Sequence, residues 1–478
     1  MAKPADKKEL FEKMPVGRAL LSLAIPTIIS QLINLIYNMA DAIYLGRTGD
    51  AYKTASVTLV FTVFLLTLSF FNLFGVGGGS LIARLSGRGE EEKAKAVSAF
   101  SFYGGIAVAL LYSLIVFLFE TPLLKLLGAS PNTEGYARQY LLWVVIIGNL
   151  PVILSGVCAH LLRNAGFAKQ AGIGLSGGGI LNIILDPLFM FVILPKGMEV
   201  TGAAVATLIS NTAACIFLVV TLVRLSKTSV LSADPREIPK ITRKELKELF
   251  AVGVPSAILT GLFDIANVVL NALMSAYGDL QLAAIGIVAK IERLPNAICI
   301  GLCQGMLPLV AYNYASGNHK RMNEVIRRTR IYGVVIALSC LVLFQIIAPW
   351  ACKAFLSVTN GDPTAAEITL AFAEVFLRIR VCASLFQFFN YSSSFTMQAV
   401  GYGFGTLAHA FVRILVFYIP FMYLFSALFQ EKGLAMALVV GEICGAIFAL
   451  LLFRAWKKKH LKFAEAPAPA VSSPETSK

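Results

Sequence analysis

An all-α integral membrane fold, with twelve transmembrane helices in two six-helix lobes related by a parallel pseudo-twofold repeat, is predicted by three features of this 478-residue chain. Hydrophobic residues make up 57% and charged residues only 14%, against about a quarter charged in soluble domains, and the mean hydropathy is +0.75. Apolar runs of about 20 residues, the length that crosses a bilayer as a helix, recur throughout. Basic residues gather in alternate loops, and the second half of the chain repeats landmarks of the first.

The spans fall at 19–45, 54–83, 96–119, 136–161, 168–194, 201–224, 247–276, 281–311, 327–350, 366–395, 401–428 and 433–455. The first is too long, and too polar in its second half, for a cleaved signal peptide. Lys3, Lys7, Lys8, Lys13 and Arg18 precede it. Arg84, Arg88, Lys93 and Lys95 follow the second span, and Arg224, Lys227, Arg236, Lys240, Arg243, Lys244 and Lys247 follow the sixth. Lys320, Arg321, Arg327, Arg328 and Arg330 follow the eighth, and Lys457, Lys458 and Lys459 the twelfth. The other loops hold far fewer: Arg47 and Lys53, Lys125 and Arg138, Lys196, Lys353 and Lys432. This asymmetry predicts cytoplasmic termini in a prokaryotic plasma membrane. It also accounts for the net charge of +14 through anionic inner-leaflet lipid, with no nucleic-acid partner.

The repeat has three anchors. Ile25-Pro26-Thr27 opens the first span and Val254-Pro255-Ser256 the seventh, 229 residues later, each proline followed 23 residues on by Gly-Asp. Gly75 with Ser86-Gly87 recurs as Gly305 with Ser316-Gly317, at an offset of 230. Gly202-Ala203-Ala204-Val205-Ala206 recurs as Gly433-Leu434-Ala435-Met436-Ala437, at 231. Six spans per half preserve direction, so the halves are parallel repeats about an axis along the membrane normal. The expected organisation is an N-terminal segment 1–18, an N-lobe 19–224, a basic linker 225–246 with a short surface helix, a C-lobe 247–456, and a disordered tail 457–478 whose end is rich in Ala, Pro, Ser and Thr.

Asn182 and Asp186 stand one turn apart in the fifth span, so both face one way, and Pro187 frees a backbone carbonyl nearby. A carboxylate in hydrocarbon is costly enough that it is expected to face a polar cavity and to act there. The first span carries a polar stripe of Gln31, Asn34, Tyr37, Asn38 and Asp41, which places a second carboxylate at similar depth in the same lobe. Gln31 and Asn34 serve equally well as interhelical hydrogen-bonding residues. Two carboxylates, the Asn182 carbonyl and a hydroxyl would suit Na⁺ as hard oxygen donors, and the same pair would equally hold a proton between like charges. The seventh span repeats the stripe as Asp264, Asn267 and Asn271, and with Lys290 and Glu292 of the eighth span Asp264 makes a second candidate site. Arg293, Glu374, Arg378, Arg380, Arg413 and Glu442 balance in sign and read first as internal ion pairs.

The eight cysteines are scattered, nearly all in apolar helices, and read as inert core thiols. The four histidines make no metal constellation, and no Gly-x4-Gly-Lys-Ser/Thr loop occurs, so neither a cofactor nor ATP hydrolysis is expected. The glycine patterns at Gly75 to Gly79, Gly174/Gly178, Gly301/Gly305 and Gly401/Gly405 are packing devices. Nothing here marks an enzyme.

Over residues 14–456 the chain resembles the multidrug and toxic compound extrusion (MATE) transporters, most specifically at Pro26 to Gln31 and Tyr37 to Asp41, at Arg163-Asn-Ala-Gly166 and at Asn182 to Pro187. Aspartates in both the first and fifth spans are similar to the DinF-like branch. The resemblance implies a V-shaped monomer that exports cationic, amphipathic organic compounds by alternating access in exchange for Na⁺ or H⁺. It also implies a coupling site of Asp41, Asn182 and Asp186 with a threonine early in the sixth span. Thr207 is the choice because it follows Gly202-Ala-Ala-Val-Ala, and Thr201 is the alternative. Gln31, Asn34, Tyr37, Asn38, Asp264, Asn267, Asn271, Lys290 and Glu292 are expected to line the substrate cavity. Branches with an acidic site in the C-lobe use carboxylates of the seventh and tenth spans. Here Arg378 and Arg380 accompany Glu374, so coupling is assigned to the N-lobe. The competing reading, a lipid or lipid-linked oligosaccharide flippase of the same superfamily, would call for a basic first span, and this one has no basic residue beyond Arg18.

Overall fold

Proline and glycine decide where the long apolar runs bend, and helix-capping side chains decide where they begin. The computed structural model describes residues 9–356 and 363–460, and among these every regular element is helical. The first half holds α1 (Val16–Gly46), α2 (Ala51–Gly87), α3 (Glu91–Leu118), the short α4 (Glu120–Leu126), α5 (Pro131–Leu141), α6 (Asn149–Asn164), α7 (Ala168–Leu188) and α8 (Glu199–Leu225). Asp50 caps α2 by accepting from the Tyr52 and Lys53 amides, and Ser130 with Thr133 forms a capping box at α5. The fourth span is α5 and α6 joined by a π-helical segment, Leu142–Ile147, and bent by 43°. Gly148 and Pro151 account for that bend, the proline removing an amide from the helical ladder.

The second half holds α9 (Arg243–Ser275), α10 (Asp279–Ala315), α11 (His319–Leu356), α12 (Pro363–Arg380), α13 (Ser384–Ala399), α14 (Gly403–Phe411) and α15 (Ile419–His460). A single 3₁₀ turn joins α12 to α13 as the tenth span. From Gly403 the helix runs 58 residues, which at 1.5 Å per residue is nearly three bilayer cores long. It folds back at Gln430, whose backbone leaves the helical region at φ 54°, ψ −139°. Beyond the fold Gly433 lies against Phe425, Gly441 against Tyr418 and Gly445 against Arg413, the register of an antiparallel hairpin. Among the described residues nine helices are long and apolar enough to span, and the bent fourth span is a tenth. Dividing the run at Gln430, and adding the more charged α12–α13, gives twelve. Several helices outrun the predicted spans at the end that bears the basic loops; α11 begins at His319, where 327 is expected.

The linker is anchored before its short surface helix. Val230 and Leu231 are buried, Ser98 of α3 bonds both the amide and the carbonyl of Ser232, and the Tyr103 hydroxyl donates to the Ala233 carbonyl. A 3₁₀ turn at Pro235–Lys240 then leads to the Thr242/Glu245 capping box of α9. Of the expected tail 457–478, Lys457 to His460 instead form the last turn of the final helix, and residues 461–478 lie outside the described residues.

The lobes meet at the basic end. There α1 packs on α10, with Gly301 on Ile28 and Gly305 on Ala24, and α2 packs on α9, with Gly77 and Leu73 on Gly253. These two contacts are equivalent under the repeat, since Ala24 and Gly253 differ by 229. None of these glycines has room for a side-chain carbon, so the backbones approach closely. The segment before α1 reinforces the seam. Phe11 stacks on Tyr312 of α10 at 4.8 Å, the Tyr312 hydroxyl donates to Glu12 at 2.6 Å, and Arg321 donates to the Phe11 and Met14 carbonyls at 2.8 and 2.6 Å. Arg84 of α2 donates to the Gln398 and Ala399 carbonyls, both at 3.3 Å. Past Gln31 on α1 and Thr260 on α9, no interlobe hydrogen bond occurs among the described residues, and the lobes diverge as a V.

Candidate functional site: the carboxylate pair of the N-lobe

Three helices bring the site together. Gly172 and Gly179 of α7 let α1 approach at Pro26, Ile33 and Tyr37, while Gly174 and Gly178 admit Leu218 and Ala214 of α8. Asn182 and Asp186 are thereby enclosed, at 2% and 0% exposure, between α1 and α8. The Asn182 amide donates to the Asp186 Oδ1 at 3.0 Å and to the Thr207 hydroxyl oxygen at 3.3 Å. The carboxyl group of Asp41, from α1, is the acidic neighbour of Asp186. Thr201 instead donates to Gln139 at 2.8 Å and lies elsewhere. Past Pro187 the helix continues as a π-helical stretch, Phe189–Ile193, against which Gly202 packs.

Three enclosed oxygens have no partner here: Asp41 Oδ1, Asn182 Oδ1 and Asp186 Oδ2. Other buried amide oxygens, such as those of Asn149 and Asn164, are also unpaired, but here three acceptors gather in one cluster beside two carboxyl groups. All the available atoms are oxygens, a donor set that suits a hard monovalent cation. Two neighbouring carboxyl groups can equally hold a proton between them. Tyr140 of α5 and Tyr37 of α1 complete the surroundings, each within electrostatic range of both carboxyl groups. Tyr140 escapes the sequence reading because a lone tyrosine at the edge of an apolar span carries no pattern.

The remaining cavity candidates scatter. Gln31 spans the lobes to Gln304 at 3.4 Å, so the stripe it begins faces α10, with Asn34 exposed one turn on. Asn38 donates back to the Asn34 carbonyl. Asn72 reaches Thr260 at 3.1 Å across the equivalent contact, which sets Asp264, Asn267 and Asn271 on the side of α9 that faces the N-lobe. Asn267, Asn271 and Lys290 are exposed. Asp264 does not form a site with Glu292. Its charged neighbour is Arg293, while Glu292 is buried in a two-pronged pair with Arg380 at 2.9 and 2.7 Å. The planar guanidinium fork and an enclosed carboxylate explain that choice. Glu374 pairs with Arg378 at 2.8 Å, and Glu442 with Arg413 at 2.5 Å.

Twelve spans in two lobes, with an enclosed acidic cluster inside one of them, define a multi-pass membrane transporter rather than an enzyme. The chain belongs to the MatE family, whose profile matches residues 26–188 and 255–424, one match in each lobe and each beginning at its proline. It is 31% identical over 442 residues to the multidrug export protein MepA of Staphylococcus aureus strain MRSA252, covering 92% of this chain and 94% of that one. It is 29% identical over the same shares to the MepA of Staphylococcus saprophyticus. Among solved structures it is similar to a MATE protein in complex with MaL6, with TM-score 0.89, 24% identity and 96% and 100% of the two chains covered. A MOP superfamily transporter from Pyrococcus furiosus, described as having a binding pocket of reverse polarity, matches with TM-score 0.87 and 23% identity over 97% and 100%.

Proposed function

We propose that this chain is a secondary multidrug efflux antiporter, which exports cationic, amphipathic organic compounds and takes up Na⁺ or H⁺ in exchange. Asp41, Asn182, Asp186 and Thr207 carry the coupling ion. The observation that carries this reading is the pair of neighbouring carboxyl groups of Asp41 and Asp186, with three unsatisfied oxygens gathered between membrane-spanning helices. An ion entering the cluster neutralises charge that is costly at that depth and draws α1, α7 and α8 together. Because α1 also forms the seam with α10, a shift of α1 links ion binding to the packing of the lobes. The polar stripes of Asn34 and Asn38 on α1 and Asp264, Asn267 and Asn271 on α9 face the cleft. There Asp264 supplies the negative charge for an organic cation.

The basic loops support cytoplasmic termini, a cytoplasmic-membrane location and a cleft open to the outside in this state. Relatives named as the multidrug export protein MepA support export as the direction of transport. The deciding measurement is dye efflux in vesicles under an imposed Na⁺ gradient and then under an imposed pH gradient. The gradient that drives concentrative efflux names the ion, and Asp186→Asn should remove the response. Full efflux by Asp41→Asn and Asp186→Asn would overturn the N-lobe assignment.

A further inference from the structure

Arg380, Arg413, Arg378 and Arg328 each have a glutamate within 2.5–2.9 Å. Arg330 of α11 does not. Its Nε and Nη2 are enclosed and find no acceptor among the described residues, and its electrostatic neighbours are a second arginine, Arg454 of α15, and the buried Cys303 thiol of α10. Two guanidinium groups brought together without a carboxylate are unfavourable unless an anion lies between them.

The surroundings identify the anion. Lys457 of α15 donates to Asn323 of α11 at 2.8 Å, which fixes how the two antiparallel helices face each other at the basic end. On α11 helical spacing carries that face from Asn323 past Arg330 to Ile331 and Val335. On α15 it carries it from Lys457 past Arg454 to Leu451 and Ile447. These four apolar side chains are 52–58% exposed. The shared face is therefore cationic where the apolar runs end and bare hydrocarbon-facing surface beyond. Trp456, stacked between Tyr402 and His460, marks the same level, as aromatic side chains do at a membrane interface. A molecule that matches this surface has a negative head and apolar chains.

We propose that Arg330 and Arg454 hold the phosphate of an anionic phospholipid, whose acyl chains lie along α11 and α15. The leaflet is the one that meets the basic loops, where anionic lipid is richest. The accessible guanidinium nitrogens, Nη1 of Arg330 and those of the exposed Arg454, donate to the phosphate oxygens, which offsets the repulsion between the two arginines.

The test uses the full-length protein in detergent, with lipid retention read by native mass spectrometry. Phosphatidylglycerol should be retained about tenfold more strongly than phosphatidylcholine, the gain expected of charge-assisted hydrogen bonds. Arg330→Gln with Arg454→Gln should erase that preference, while Lys459→Ala, at the exposed helix end, should leave it intact. Should the double variant fail to fold, the exposed Arg454→Gln alone serves, and it should weaken the preference severalfold. An unchanged preference in either variant overturns the site. Displacement of phosphatidylglycerol by millimolar inorganic phosphate would reassign it to a soluble anion and overturn the lipid assignment.

Discussion

The α7–α8 hairpin of the N-lobe and the hairpin folded at Gln430 in the C-lobe occupy matching places in the repeat, yet they hold opposite chemistry. In the first, Gly178 abuts Ala214, Asn182 bonds Thr207, and Gly202 abuts Met190. In the second, Gly445 abuts Arg413, Gly441 abuts Tyr418, and Gly433 abuts Phe425. Aligning the two hairpins by these contacts sets Phe417, Phe421 and Leu438 where the N-lobe has Asn182, Asp186 and Thr207. Phe417, Phe421 and Phe425 form a stacked ladder, with ring centroids 6.2 and 5.6 Å apart. The C-lobe's charge stands one turn nearer the basic end, in the Arg413–Glu442 pair, which is already closed. Asn390 donates to both Glu442 Oε2 and its carbonyl, and His409 bridges Asn390 to Ser394. The same packing frame thus carries unpaired carboxyl oxygens in one lobe and, in the other, an ion pair whose carboxylate is fully engaged while the Arg413 Nε is left without a partner.

The largest expected effect breaks or keeps that comparison outright. Asp186→Asn or Asp41→Asn should abolish gradient-driven efflux of a cationic dye, with expression and thermal melting near wild type, because the amide keeps the shape and loses the charge. Phe421→Leu, at the position equivalent to Asp186, should retain efflux and lose only a modest amount of packing energy, below about 1.5 kcal/mol. Loss of efflux in Phe421→Leu would end the distinction between the lobes.

The C-lobe network sharpens it from the other side. Glu442→Ala leaves Arg413 buried without a counter-charge and should cost about 3–5 kcal/mol, read as a lower melting temperature. Arg413→Met with Glu442→Leu should recover most of that loss, since a buried pair replaced by apolar groups is close to neutral or favourable. Failure of the double variant to recover would mean that Arg413, which also lies 4.6 Å over the Phe263 ring, has a role beyond pairing.

How far the sequence carries this picture depends on the range of the interaction. Span lengths, the lobe repeat and the costly carboxylates are properties of single helices, and hydrophobic runs and spacing reveal them. Asn182 and Asp186 are legible together because four residues make one turn. Which glutamate each arginine selects is not legible, because Glu292 and Arg380 are 88 residues apart in sequence and meet only through the packing of α10 on α12. The π-helical stretches at Leu142, Phe189 and Val412 are equally hidden, as they answer to tertiary contacts near Gly148, Pro187 and Arg413 rather than to composition. Leu10 and Phe11 also give no signal, two apolar residues in a charged segment, yet both are buried in the seam.

The seam glycines offer a paired test of the repeat. Gly305→Val meets the Ala24 backbone and Gly253→Val meets the Leu73 carbonyl, so each should strain its contact by about 1–3 kcal/mol. Because the two positions are equivalent contacts, similar losses are expected, read as maleimide labelling of Cys303, which is fully buried beside the seam. Labelling gained in only one variant would mean that the two contacts share the load unequally.

Tyr312→Phe should have the smallest effect and the most specific one. It removes the hydroxyl that donates to Glu12 but keeps the ring stacked on Phe11, so about 1 kcal/mol of net hydrogen-bond energy is at stake. The N-lobe has no counterpart to this contact, because the residue 230 positions earlier is Ile82, whose side chain lies in the apolar core. That energy acts on the closed seam alone, since the segment carrying Glu12 precedes α1 while Tyr312 belongs to the C-lobe. Tyr312→Phe should therefore raise Cys303 labelling severalfold, leave the melting temperature almost unmoved, and change efflux only through the rate at which the lobes part. A lowered melting temperature with unchanged labelling would instead make the Tyr312 hydroxyl an ordinary packing contact within the C-lobe.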